Sequence, residues 1–167
     1  KWITVATHVG GMPRLKKGSM KEPLSAKELF EEVKPLWEKY DLKIAEPFLA
    51  GLSPGARSDI ENKKEVGYYQ FLPTLVRHIL PNQIVELCGA MGASTLMILS
   101  SISRKTQLWS ITLEEHGLEF SFIKNKYPNF YPVIGDDLDL SSWPKNLKLE
   151  KTDLWFFDTN HTYDQLH

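Results

Sequence analysis

The chain has 167 residues, 42% of them hydrophobic and 25% charged, which is the composition of one globular domain long enough to bury a core. A net charge of −1 argues against a nucleic-acid partner, and no apolar run approaches the roughly 20 residues of a membrane span. A single cysteine, Cys88, excludes an intrachain disulfide and points to a reducing, cytoplasmic setting.

Residues 1–24 read as an N-terminal basic arm, because the first twenty hold Lys1, Arg14, Lys16 and Lys17 and no acid. Gly18-Ser19-Met20 is either part of that arm or an expression remnant. Lys1 to Gly11 has β-type composition without an evident partner. Ser25-Ala26-Lys27-Glu28 has the spacing of a capping box, and a helix is expected from Ala26 to Tyr40 with Leu29, Phe30, Val33, Leu36 and Trp37 on one stripe. Pro35 is expected to kink it or mark a break. Ala50 to Asp59, dense in Gly, Pro and Ser, reads as a loop that closes a helical segment over residues 25–64. From Glu65 to Leu80 the spacing of Val66, Tyr69, Leu72, Leu75, Val76 and Ile79 predicts a second helix, with Pro73 as another kink.

Residues 65–167 then change rhythm. Short apolar runs at Gln83–Leu87, Gln107–Leu113, Phe130–Ile134 and Asp153–Phe157 alternate with helical patterns at Ser94–Ile102 and Glu115–Lys126. The gap from Gly135 to Thr152 holds at most a short helix near Leu138 to Trp143. Strand and helix in alternation predict an α/β, Rossmann-like fold: a parallel sheet with helices on both faces, preceded by N-terminal helices. Trp109, Trp143 and Trp155 are expected to pack that sheet.

In such a sheet, ligands bind beyond the carboxyl ends of the strands, and here those ends carry chemistry. Glu86 closes the first strand. Gly89 and Gly92 bracket a turn into a helix that begins with Ser94 and Thr95, where glycine allows close backbone approach and the helix start offers free N–H groups. The GxGxxG spacing of a dinucleotide loop is absent. Glu114 follows the second strand, where an acid favours the start of the next helix. Asp136 follows the third strand, either at a ligand or capping the next turn. The fourth delivers Asp158, with His161 and Tyr163 close behind. A carboxylate and an imidazole so spaced would share a substrate hydroxyl or a metal ion, and imidazole, with a pKa of about 6.5, suits proton removal near neutrality. His161 capping a helix is the structural alternative. Two ligands are fewer than the three a metal site normally uses, so a divalent metal is not favoured.

The stretch "VELCGAMGAST" resembles motif I of the class I S-adenosylmethionine-dependent methyltransferases, particularly the small O-methyltransferase-like (methyltransferase-24-like) families. Their motif runs acid, apolar, Gly, x, x, x, Gly, x, Ser. Glu86, Gly92 and Ser94 match it, and Cys88 stands where the first glycine is usual. The resemblance extends over Tyr68 to His167 through three further strand ends. Thr112 stands where the family's ribose-binding acid falls, with Glu114 two positions on. Gly135-Asp136 is similar to the segment that meets the adenine edge, and Asp158–Tyr163 is similar to a D-x-x-H-x-Y element.

The resemblance implies S-adenosylmethionine as cofactor, held by Glu86, Cys88, Gly89, Gly92, Ser94, Glu114, Asp136 and Asp158. It also implies O-methyl transfer to a small-molecule or sugar hydroxyl, with His161 as base and Asp158 as positioner. The family sheet has seven strands in an order like 3-2-1-4-5-7-6, so the chain is expected to supply the first four and to be truncated after the fourth. A non-catalytic methyltransferase-like interaction module and an NAD(P)-dependent oxidoreductase fragment are the alternative readings.

Overall fold

The structure, a computed structural model, describes residues 5–6, 26–62, 67–87, 92–114 and 118–157. Five strands form one sheet: β1 (Val5–Ala6), β2 (Gln83–Leu87), β3 (Gln107–Thr112), β4 (Phe130–Ile134) and β5 (Leu154–Phe157). Their spatial order is β1-β5-β2-β3-β4, with β5, β2, β3 and β4 parallel and β1 antiparallel to β5. The expected α/β, Rossmann-like sheet is therefore present. Residues 5–6 of the N-terminal stretch, for which the sequence offered no partner, pair with Trp155 and Phe156 at the edge of β5.

β2 is central and buried along its whole length, its polar Gln83 and Glu86 included, which is why it shows no apolar–polar alternation by face. β4 is an edge strand among the described residues. Its Pro132, opposite Ser110, has no N–H with which to extend the ladder.

The path of the chain decides where the helices go. It leaves β2 through α5 (Ala93–Leu99) to β3, and β3 through α6 (Leu118–Lys126) to β4. Both steps run in one direction across the sheet, so right-handed crossovers put both helices on one face. There they share a core with Ile84, Leu108, Phe130, Leu154 and Phe156. Leu49 of α2 (Glu46–Leu49), Ala56 and Ile60 of α3 (Pro54–Asn62), and Tyr69, Leu72 and Val76 of α4 (Tyr68–Ile79) join the same core.

The return from β4 to β5 runs the opposite way and covers the other face. That connection, residues 135–152, carries two 3₁₀ turns, Leu140–Ser142 and Leu149–Lys151, instead of a helix. Trp143 and Leu147 from it bury Val85, Leu87, Trp109, Ile111 and Val133. Trp109 stacks on Tyr131 at 4.5 Å, and Trp143 lies 6.2 Å from Trp155. The three tryptophans thus pack the sheet, against this connection. Ser141 holds the Asp139 carboxyl below its ordinary value of 3.8, through its hydroxyl and its backbone N–H, and fixes the first of the two turns.

Three local expectations are corrected. Residues 50–59 are not all loop, because Pro54 opens α3. Ser53 Oγ accepts from Ala56 N–H at 3.2 Å, so the Ser-Pro pair forms an N-cap and a first helical residue. The break allowed at Pro35 does not occur, since α1 (Ala26–Trp37) runs on through it, as α4 does through Pro73. In α4 the buried Leu72, Leu75 and Val76 hold the helix across the one missing N–H. Leu36, placed on the buried stripe of α1, is 51% exposed. That helix packs through Val33 and through Phe30 and Trp37, whose rings meet Phe71 of α4. Ser25, the first residue of the capping box, lies outside the described residues.

The two ends of the sheet are built differently. At the amino ends of the strands, polar side chains tie neighbours together. Asp153 Oδ2 accepts from the N–H groups of Asn82 (2.6 Å) and Gln83 (3.3 Å). Gln83 Nε2 donates to Lys148 O and Thr152 Oγ1, and Asn129 Nδ2 donates to Thr106 O at 2.9 Å. These bonds close that end.

Candidate functional site

The order β5-β2-β3-β4 places a topological switch between β2 and β5. The chain departs from β2 towards β3 and later arrives on the other side of it, so Leu87 and Phe157, which are register partners, end neighbouring strands side by side. A crevice at the carboxyl ends of such strands is where open parallel sheets take ligands.

Glu86 occupies the centre of this region. It lies on the helix-covered side of β2, between Ser110 of β3 and Phe156 of β5, and is 0% exposed. Burying a carboxylate is costly unless donors meet it. Here Ser94 Oγ donates to Oε1 at 2.5 Å and Thr95 Oγ1 donates to Oε2 at 2.6 Å. These short lengths are those of hydroxyls bonded to an ionised acid. Both donors sit in the first turn of α5, so the acid ties the end of β2 to the start of the helix across residues 88–91.

Gly92 makes this closure possible. It stands before α5 at φ 82°, in the left-handed region, and a Cβ there would lie 2.9 Å from Ile123 Cδ1. Leu96 N–H returns to Gly92 O at 2.9 Å, so the glycine sets the first helical turn and points both hydroxyls at the acid.

The neighbouring strand ends add polar groups. Thr112, 5% exposed, closes β3, and its carbonyl accepts from Gly135 N–H at 2.9 Å. Glu114 follows on the surface. Asp136 is half-buried and held by its own loop. Its Oδ1 accepts from Leu138 N–H at 2.9 Å, its N–H donates to Ser142 Oγ, and its carbonyl accepts from Trp143 Nε1 at 2.7 Å. The capping of the 3₁₀ turn falls to Asp139 instead.

Of the residues singled out in the sequence, the structure brings Glu86, Gly92 and Ser94 into one constellation and sets Glu114 and Asp136 on adjacent strand ends. Cys88, Gly89, Asp158 and His161 lie outside the described residues. Among the described residues no three metal-binding side chains converge, and no helix is long and apolar enough to cross a membrane. Sequence reasoning missed the parts of Thr95 and Ser110. Thr95 was detectable in principle, since an acid inside an apolar strand needs donors, and the adjacent Ser-Thr pair supplies two. Ser110 becomes a neighbour of Glu86 only through strand register.

No protein-family profile, curated protein or solved structure matches the chain.

Proposed function

We propose that this chain is a class I S-adenosylmethionine-dependent methyltransferase that transfers the methyl group to a hydroxyl of a small molecule or sugar. The observation that carries the reading is the Glu86 clamp. At the switch point of a parallel sheet, an acid ends the central strand and is bonded by the first two hydroxyls of the following helix, across a loop whose last residue is a left-handed glycine. That arrangement suits a loop whose backbone must approach a ligand closely.

The residues present fit the cofactor. Gly92 and Ser94, with Cys88 and Gly89, would hold its amino-acid part. Glu114, exposed beyond β3, would take the ribose hydroxyls with two carboxylate oxygens. The Asp136 loop would meet the adenine edge. Bound there, the cofactor supplies an activated methyl group, and the protein contributes mainly proximity and orientation. His161 would remove the acceptor's proton, with Asp158 positioning it. No metal is assigned, and a cytoplasmic setting goes with this reading. The strand order alone suits a nicotinamide-binding sheet equally well, but the absence of GxGxxG favours the methyltransferase. Cys88 and Thr112, at positions where the family has other residues, favour an interaction module without turnover.

Calorimetric titration with S-adenosylhomocysteine, with NAD⁺ as control, separates these readings. The wild-type chain should bind the first ligand and not the second. Glu114→Ala should bind it about tenfold more weakly, the loss of roughly one hydrogen bond to a charged group. Binding of NAD⁺ alone would install the oxidoreductase reading, and binding of neither by a folded chain would favour the interaction module.

A further inference from the structure

The charges around the sheet are segregated by strand end, which a net charge of −1 conceals. Beyond the carboxyl ends stand Glu114, Asp136, Asp137 and Asp139. The amino ends carry the opposite sign. Arg77 lies in the last turn of α4 before β2, Arg104 and Lys105 in the loop before β3, Lys124 in the last turn of α6 before β4, and Lys148 and Lys151 in the connection before β5. All six are exposed, and the ion pairs Arg57–Glu46 and His78–Glu32 use none of them. Because β5, β2, β3 and β4 are parallel, these cations border one surface. The acids on its side are Glu150, Asp153 and Glu32 of α1. Asp153 is turned to the N–H groups of Asn82 and Gln83, and Glu32 to His78.

Leu80 stands in the middle of this surface, just before the central strand β2. It is 77% exposed, more than any other large apolar side chain among the described residues. Its backbone is left-handed, at φ 53°, and no other non-glycine residue among those described has a positive φ. Helices ordinarily end on glycine in that conformation, which strains a leucine. Local bonds fix it there. Leu80 N–H donates to Val76 O at 3.0 Å, Pro81 O accepts from Thr106 Oγ1 at 3.0 Å, and Asn82 O accepts from Gln107 N–H at 2.8 Å. The chain therefore bears backbone strain to hold an apolar side chain in water at a position where glycine would serve. Strain kept at one exposed residue points to function.

We propose that the amino-terminal end of the sheet is a docking surface for an anionic lipid bilayer, with Leu80 entering the interface and the surrounding cations facing the head groups. Each lysine or arginine near a membrane rich in acidic lipid adds to the attraction. Leu80 decides the class of partner, because a bilayer interface offers an apolar phase to receive it and a nucleic-acid phosphate backbone does not. Docked by this end, the chain turns the carboxyl ends of its strands away from the lipid, so the surface and the candidate site do not compete. Docking is independent of which ligand that site takes.

Sedimentation of the full chain with lipid vesicles tests this. The chain should bind vesicles containing about one-third phosphatidylserine and not those of phosphatidylcholine alone, and added salt should release it. Arg104→Gln combined with Lys105→Gln should weaken binding about 25-fold, about fivefold for each charge removed. Leu80→Gly should weaken it about fivefold. Its urea midpoint should be no lower than that of the wild type, since glycine relieves the left-handed turn, so the loss is of the anchor and not of the fold. Binding to neither vesicle, or equally to both, would overturn the proposal, as would undiminished binding by Leu80→Gly. Tighter binding of an RNA oligonucleotide than of the anionic vesicles, unaffected by Leu80→Gly, would also overturn it and reassign the surface to nucleic acid.

Discussion

Glu86→Ala is expected to destabilise the chain by about 3 kcal/mol, measured as a fall in the urea midpoint at unchanged slope. The substitution removes two short hydrogen bonds to a buried acid and leaves the hydroxyls of Ser94 and Thr95 facing a cavity. Each hydrogen bond to a charged group contributes about 1.5–3 kcal/mol, and part of that sum is returned because the carboxylate no longer has to be buried. The triple variant Glu86→Leu, Ser94→Ala, Thr95→Val removes donors and acceptor together and refills the space, so it should recover most of the loss. A large loss in the triple variant, or one under about 1 kcal/mol in Glu86→Ala, would mean that the acid is not the clamp described here.

Gly92→Ala is the second large effect, about 2 kcal/mol. A side chain at φ 82° meets the left-handed penalty of roughly 1–2 kcal/mol, and the new Cβ requires the end of Ile123 to move. Gly135→Ala is the matched control. Its Cβ would lie equally close, 2.9 Å, to Ser142 Oγ, but its φ is not left-handed. Chemical denaturation of both variants should show the Gly92 substitution to be clearly the more costly. The difference matters for the site, because Gly92 sets the turn that brings Ser94 and Thr95 over Glu86. Equal effects would mean that the left-handed turn is not required.

Much of the fold was legible because the parallel strands are short, mostly apolar runs that alternate with helical patterns. Gln83–Leu87 and Phe130–Ile134 have the bounds the sequence suggests. The losses have physical causes. The letters Ser, Pro and Gly spell a loop by composition, but Ser53-Pro54 is also how a helix begins, and α3 does begin there. Leu36 continues a helical stripe in sequence, yet α1 lies against α4 through a narrower contact and leaves it outside. The pairing of Val5–Ala6 with β5 joins residues about 150 positions apart, beyond the reach of any local pattern. Within the site, the acid, the glycine and the serine were visible as a spacing. Ser110 was not, because only the register of β2 against β3 puts it next to Glu86.

The central proposal is that the carboxyl end of the sheet is a cofactor site, whereas the amino end is tied by structural hydrogen bonds. Its most direct test is the backbone amide spectrum of the labelled chain during titration with S-adenosylhomocysteine. The account predicts shifts at Gly92, Ser94, Thr95, Glu114, Gly135 and Asp136, and quiet amides at Asn82, Gln83, Thr106 and Asn129. Shifts confined to the latter group, or none anywhere in a folded chain, would contradict it.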